Sequence, residues 1–486
     1  MTHHTAGPGS ALPGGGFGGK QPPSAQMLLY TTTRLLALLS ITGCKKAPEP
    51  ASPPAPVTQH RQPLEMLTEL EDQDPDPNVV RVSVRAAMIE GAHGLTAGYN
   101  GLAPGPLIRA QKGQRLVVEL TNDLPNPTTI HWHGLKVPFE MDGVAWMGAP
   151  VAPGERFTYE FELNQAGTFW YHPHFDTERQ VDLGLYGAVI VEDPADPAPE
   201  HELVLIFDTA EEFDASQDDL PVGDPGRHAH GHGQLSRKWL INGQPAPVSW
   251  TGQGGQRVRV RLINVSSAGY LDLSWPDMVQ IASDQGLLPA EQAPERIILG
   301  PGDRADAVWR LGQEGFAVSN APHTLNGGAA LGEATDLVEV TVENPSEPAA
   351  ALPWPYTGEE VSPDPGYADI VYAFSGSDRT GLWLINGERF PQVSIETLKL
   401  GSEAIIEVRN LSPTEHPFHI HGLDFEILSV NGVPPAWKTV EDTFNLAIRD
   451  RVRMKIVADN PGDWMTHCHI LPHADDGMMT VLRVEP

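Results

Sequence analysis

Along most of the chain, apolar and polar residues alternate with period two over short runs. Val80-Arg81-Val82-Ser83-Val84-Arg85 is one such run; Phe157-Thr158-Tyr159-Glu160-Phe161-Glu162-Leu163 and Val338 to Val342 are others. Successive side chains of a β-strand point to opposite faces, so each run describes a strand with one face in a core. Glycine (48 residues) and proline (46) interrupt the runs, and no long helical period appears. The pattern predicts an all-β protein made of β-sandwiches.

One strand recurs. Gly113-Gln114-Arg115-Leu116-Val117-Val118-Glu119-Leu120-Thr121-Asn122 returns as Gly255-Gln256-Arg257-Val258-Arg259-Val260-Arg261-Leu262-Ile263-Asn264. It returns again as Gly401-Ser402-Glu403-Ala404-Ile405-Ile406-Glu407-Val408-Arg409-Asn410, the copies lying 142 and 146 residues apart. Trp239-Leu240-Ile241-Asn242-Gly243 and Trp383-Leu384-Ile385-Asn386-Gly387 echo each other ahead of the second and third copies. Three copies in one register predict three homologous domains, at 78–195, 200–345 and 366–486, with the Pro-rich stretch 345–366 as a linker. A length of 486 residues suits several domains rather than one.

Ahead of the first domain the pattern changes. Residues 1–26 are rich in Gly, Pro and Ser, and read either as disordered or as a stretch upstream of a start at Met27. Arg34 is followed by an apolar run from Leu35 to Ile41 and then Thr42-Gly43-Cys44. That run is too short for a membrane span and suits the core of a signal peptide. Ile41-Thr42-Gly43-Cys44 resembles a bacterial lipobox, so residues 1–44 are expected to end in a lipidated Cys44. Residues 45–77 are expected to be a tether, its prolines concentrated between Ala47 and Pro63, acting as a semi-rigid spacer. The expected location is outside the cytoplasm, in the periplasm or cell envelope, with the lipid anchor as the one membrane contact. No twin-arginine pattern occurs, which suggests export unfolded and loading of any metal afterwards.

Charge narrows the partners. With 32 Lys plus Arg against 63 Asp plus Glu, the net charge is −31, which argues against nucleic acid. The chain has two cysteines, Cys44 and Cys468, so disulfide scaffolds, iron–sulfur clusters and multi-thiolate zinc sites are excluded.

Histidine, at 19 residues, points to the chemistry. The first domain holds His131-Trp132-His133-Gly134 and later Gly167-Thr168-Phe169-Trp170-Tyr171-His172-Pro173-His174. At matching places the third holds His416-Pro417-Phe418-His419-Ile420-His421-Gly422 and Gly462-Asp463-Trp464-Met465-Thr466-His467-Cys468-His469. The second domain has neither pair. Residues i and i+2 of a strand share a face, so each His-x-His presents two imidazoles together. Eight imidazoles meeting between domains one and three could hold three metals. Cys468 points away from its flanking histidines and can join His416, His473 and Met478 in a separate site. Two imidazoles, one thiolate and a weak thioether make the trigonal blue-copper set. The peptide at Cys468 would link the two sites over roughly 10 Å, since each strand residue advances about 3.3 Å.

These motifs closely resemble the multicopper oxidases, among them laccases, ascorbate oxidase, bilirubin oxidases and bacterial cuprous oxidases. The resemblance spans about residues 78 to 486 and implies three consecutive cupredoxin-like Greek-key domains holding four copper ions. Type 1 copper would take His416, Cys468, His473 and Met478, and type 2 copper His131 and His419. One type 3 copper would take His133, His172 and His469, the other His174, His421 and His467. The implied reaction couples four one-electron oxidations of a small reducing substrate to reduction of O2 to two waters. By the same resemblance Asp142, in Glu140-Met141-Asp142-Gly143, is expected to relay protons near type 2 copper. Several bacterial relatives have a glutamate directly after the last type 1 histidine; Ala474 stands there, so the second relay would fall to Asp475 or Asp476.

The expected activity is a laccase-type oxidation of phenols or aromatic amines by a monomer. A cuprous oxidase serving copper tolerance is the alternative, ranked lower because no methionine-rich segment precedes His416 and the chain has 11 Met in all. A non-enzymatic copper-binding relative is the third reading, disfavoured because no ligand is missing. Glu415 is a candidate for docking substrate, and His228, His230 and His232 for recruiting copper.

Overall fold

The computed structural model describes residues 61–486, apart from 92–93, 145–147, 197–199, 212–236, 327–333, 352–353, 355–359 and 378. Cys44, the signal region and His228, His230 and His232 lie outside the described residues.

The three repeats form the same strand in three sandwiches. Arg115–Asp123, Arg257–Asn264 and Glu403–Asn410 each lie inside a sheet. Each runs parallel to an earlier, non-consecutive strand of its domain, Val79–Gly91, His201–Glu211 or Ile370–Ser377. Each also runs antiparallel to a later, non-consecutive strand, Arg156–Glu162, Arg304–Arg310 or Arg451–Val457. Parallel neighbours beside antiparallel ones need long crossings between two sheets, which is Greek-key sandwich connectivity. A second sheet closes each sandwich over its own apolar core. Period two becomes burial directly: Val80, Val82 and Val84 are buried, whereas Ser83 and Arg85 are exposed.

The asparagine that ends each repeat explains why it recurs. Asn122, Asn264 and Asn410 are all fully buried. Each donates through Nδ2 to at least two carbonyls, of Asn126 and Val151, of Gly269 and Leu299, and of Thr414, Leu446 and Ala447. Each also accepts through Oδ1 the N–H two residues on, from Leu124, Ser266 or Ser412. One side chain thus satisfies the backbone of the loop that leads into the next strand, at about 1 kcal/mol per bond made and more if lost. In domains one and three that next strand carries the histidines.

The described part of the expected tether, from residue 61, packs against the domains. Gln62–Pro63 pairs with Val248–Ser249 as an edge strand of domain two. An edge tolerates a proline, whose missing N–H faces away from the ladder. Leu64 then packs on the core of domain two, Leu67 on the cluster between domains, and Leu70 on the core of domain one. Apolar residues three apart hold what prolines alone would have left as a spacer.

Between the sandwiches lie an apolar cluster and a charged one. Leu107, Trp170 and Tyr186 of domain one meet Val204, Ile206 and Ile263 of domain two and Leu471 of domain three. Beside them Arg259 and Arg261 are buried on Asp306. Arg261 also donates to Glu202 (2.6 Å) and to Thr168 of domain one (2.8 Å). Helices are confined to Thr177–Asp182, Leu471–Asp475 and one 3-10 turn among the described residues.

Candidate metal centre

Two short strand pairs bring the histidines together. In domain one His131–His133 runs antiparallel to Gly167–His172, placing His131 opposite His172. In domain three His416–Ile420 runs antiparallel to Gly462–Cys468, placing His419 opposite His467. The two assemblies face each other. Rings of His131 and His421 stack at 3.8 Å between centroids, and rings of His133 and His419 at 3.9 Å. His174 lies 4.9 Å from His421, and His469 lies 4.9 Å from His133. Seven of the eight are buried and His174 is partly so. At the two equivalent positions domain two has Leu273 and Trp275, nine and eleven residues after its repeat asparagine, so it offers no imidazole there.

Hydrogen bonds set which nitrogen each ring has free. A carbonyl or carboxylate can only accept, so the ring nitrogen facing it carries the proton and the other keeps its lone pair. Through Nδ1, His131 donates to the Asp142 carbonyl (3.0 Å), His172 to that of Pro173 (2.9 Å), His419 to that of Asp442 (3.0 Å) and His467 to that of Cys468 (2.9 Å). His421 donates to Asp142 Oδ2 at 2.8 Å. All five turn Nε2 inward. His133 is inverted: its Nε2 faces Asp442 Oδ1 (3.0 Å) and Thr443 Oγ1 (3.1 Å), leaving Nδ1. Nε2 of His131, His172 and His419, Nδ1 of His133 and both nitrogens of His469 are buried without a partner among the described residues. Buried polar atoms are normally paired, and six unpaired nitrogens in one place fit a site made for cations. Burial first, then the neighbouring rings, hold His133, His172, His174, His421, His467 and His469 well below the usual histidine range. They are neutral, as metal ligands must be.

Asp142 reaches both sides. Fully buried, it sets Oδ1 3.1 Å from His131 Nδ1 and Oδ2 on His421. Asp142 precedes Gly143, whose φ of +75° and whose approach to the Ile130 carbonyl leave no room for a Cβ. That turn aims the carboxylate back at the histidine strand.

The second site is a triangle. His416 Nδ1 lies 3.3 Å from Cys468 Sγ, Cys468 Sγ 3.7 Å from His473 Nδ1, and the two nitrogens 3.3 Å apart. The centre of that triangle lies about 2 Å from each atom, a metal–imidazole bond length. His416 Nε2 bonds Ser412 Oγ (2.6 Å), and Ser412 is held by Asn410, so the repeat asparagine also sets this ring. Burial pushes His416 down to about 3. It pushes the Cys468 thiol up, so a thiolate there needs a cation beside it. Met478 is buried in the same core, and its carbonyl accepts the Cys468 N–H at 3.1 Å. Trp383, from the second echo motif, stacks on His473 at 3.7 Å.

The comparisons with known proteins agree with this geometry. The family described as multicopper oxidase matches residues 82–196 and again 363–486. Multicopper oxidase MmcO of Mycobacterium tuberculosis is 30% identical, covering 80% of this chain and 82% of that protein. The chain belongs to the multicopper oxidases. A solved laccase from Pediococcus acidilactici superposes with a TM-score of 0.74 at 27% identity, over 88% of this chain and 94% of that one. A multicopper oxidase from Campylobacter jejuni, described as a metallo-oxidase, gives 0.73 at 26% identity, over 88% and 96%. This multicopper oxidase is therefore an oxidoreductase that uses O2 and copper, built of cupredoxin-like domains.

Two residues of its site escaped the sequence reading. Asp442 touches His133 and His419, and Arg304 clamps Asp442. Neither lies in a histidine motif, and neither has a spacing that marks it. Glu415 is buried, accepting from Asn445 Nδ2 (2.6 Å) and facing His323 Nε2 (3.2 Å). Asp475 accepts the Glu178 N–H (3.1 Å), and Asp476 faces Arg389 (3.9 Å).

Proposed function

We propose that this oxidase holds four copper ions and oxidises phenols or aromatic amines. The supporting observation is the meeting of all four His-x-His pairs between domains one and three, with Cys468 set between two of those histidines. His416, Cys468 and His473, with Met478 beside them, are the type 1 ligands. His131 and His419 hold type 2 copper; His133, His172 and His469 hold one type 3 copper, and His174, His421 and His467 the other. Bound copper supplies one-electron chemistry, passing single electrons from a donor to O2 until four electrons and four protons have made two waters. Cys468 joins the two sites through its own peptide, because its neighbours on both sides are cluster ligands. The Asp142 carboxylate accepts from His131 Nδ1 and His421 Nδ1, which fixes both rings with Nε2 inward, and it serves as the proton relay beside the cluster. The apolar cluster and buried arginines between domains keep bulk water from the rings.

Phenols are favoured over Cu(I) because no methionine-rich segment precedes His416. The metallo-oxidase description of the Campylobacter jejuni relative supports a second reading, Cu(I) as donor. The chain is further proposed to be exported and anchored through Cys44. The test loads purified protein with copper and follows oxygen uptake with a phenol and with Cu(I). The proposal expects four phenols consumed per O2 and a kcat/KM for phenol above that for Cu(I) by about tenfold, or about 1.4 kcal/mol. The opposite ranking supports the second reading, and no uptake with either donor by fully loaded protein would reject both.

A further inference from the structure

Arg304 comes from the domain that contributes no histidine pair, yet it reaches the histidine cluster. It is fully buried. Nη1 donates to Asp442 Oδ1 at 2.7 Å and Nη2 to Asp442 Oδ2 at 2.6 Å, a two-pronged clamp. Nε donates to the Thr168 carbonyl at 3.0 Å, and Nη2 also to the Asp284 carbonyl at 3.1 Å. The guanidinium lies 5.8 Å from the Phe169 ring centre. One side chain therefore ties domain one through Thr168, domain two through Asp284 and domain three through Asp442.

The repeat supplies a control within the chain. Arg304 pairs with Ile263, one residue before the repeat asparagine. At the same register Arg156 pairs with Thr121 in domain one, and Arg451 with Arg409 in domain three. Arg156 and Arg451 are exposed. The sandwich thus has no need to bury an arginine at this position. Burying a charge is costly unless its partners are well placed; domain two itself supplies Asp284 Oδ1 at 3.2 Å, and the rest of what the burial answers to lies outside its own sheet.

What it answers to is Asp442. This carboxylate faces His133 Nε2 at 3.0 Å and His419 Nδ1 at 3.4 Å, and also accepts from Gln285 Nε2 at 2.6 Å and from Thr443 Oγ1 at 2.9 Å. His133 is the inverted ring of the cluster, and Asp442 is the group at its Nε2. We propose that Arg304 is a positioning residue for the copper cluster: it clamps Asp442 so that this carboxylate turns His133 over and presents Nδ1 inward. The inference rests on the proposed function, since it needs the eight histidines to be copper ligands. Carboxylates behind metal-bound histidines fix ring orientation, and losing them typically weakens metal binding about tenfold to a hundredfold.

The test compares the copper-loaded full chain with Arg304→Lys, Arg304→Met, Asp442→Asn and the double variant Arg304→Met/Asp442→Asn, with Arg156→Met as the exposed control. Four readouts are taken: copper retained against a chelator, the paramagnetic signal of type 2 copper, the blue thiolate absorption and the thermal midpoint. Lysine cannot reproduce a fork-shaped clamp. Arg304→Lys is expected to keep the blue band and to lose cluster copper about tenfold to a hundredfold more readily, with a shifted type 2 signal. Asp442→Asn should show the same signature, and Arg156→Met should match the parent throughout. Arg304→Met leaves the buried Asp442 carboxylate without its counter-cation and should fold poorly; the double variant removes that charge and should recover folded yield without recovering cluster copper. Parental copper retention and type 2 signal in Arg304→Lys or the double variant overturn the inference. So does parallel loss of blue band and cluster copper in step with lost folded protein, the mark of a merely structural arginine. A parent chain that binds no cluster copper overturns the proposed function, and this inference with it.

Discussion

Replacing Cys468 by serine is expected to abolish the blue absorption and to lower phenol-driven oxygen uptake by at least about a thousandfold, or about 4 kcal/mol in barrier. Two effects combine. A serine hydroxyl stays protonated where a thiol gives up its proton to a metal, so the strongest bond of the His416–Cys468–His473 triangle is gone. The change also removes the sulfur from the path between the triangle and His467 and His469, the residues on either side of Cys468. The swap shortens one buried side chain and leaves the strand Gly462–Cys468 paired on both sides, so the fold should survive. Absorption spectroscopy and oxygen uptake on the loaded variant check this, with the type 2 copper signal as proof that the cluster is filled. A persistent blue band would remove Cys468 from the site.

Asp142 gives the second large effect, and two substitutions separate its roles. Asp142→Asn keeps the shape of the group on His131 and His421 but carries no exchangeable charge. The amide N–H now faces one of the two ring N–H donors, so copper binding should weaken by up to about tenfold, while turnover per bound copper falls about a hundredfold, the scale of a lost acid–base group. Asp142→Ala removes the contacts as well. Both rings then lose their side-chain partner, and copper binding should weaken about tenfold or more in addition. Steady-state oxygen uptake alongside a copper count distinguishes the two. Parental turnover in Asp142→Asn would end its proposed role in moving protons.

Much of this was legible before any coordinate. Period two gave the strands because a strand exposes its pattern locally, and the Gly-to-Asn repeat located three sandwiches because each copy satisfies the same loop with the same asparagine. His-x-His pairs could be read because two residues on one face need no distant partner to be recognised. What the pattern hid depends on faces that meet only after folding. Arg257-Val258-Arg259-Val260-Arg261 alternates like a strand with a solvated face, yet Arg259 and Arg261 are buried, because domain one covers that face with Thr168 and Glu202 answers the charge. Arg304 reads like Arg156 and Arg451, and only the third dimension shows it inside. Asp442 lies 23 residues after His419 and looks like an ordinary turn acid. The tether shows the converse error: proline content outweighed Leu64, Leu67 and Leu70, whose anchoring surfaces are far away in sequence.

The central claim concerns where metal binds. Copper-loaded crystals measured at the copper absorption edge locate each ion by its anomalous scattering. The account predicts three peaks among His131, His133, His172, His174, His419, His421, His467 and His469, and a fourth between His416, Cys468 and His473. Fewer than three peaks among those eight rings, or no peak at Cys468, would contradict it.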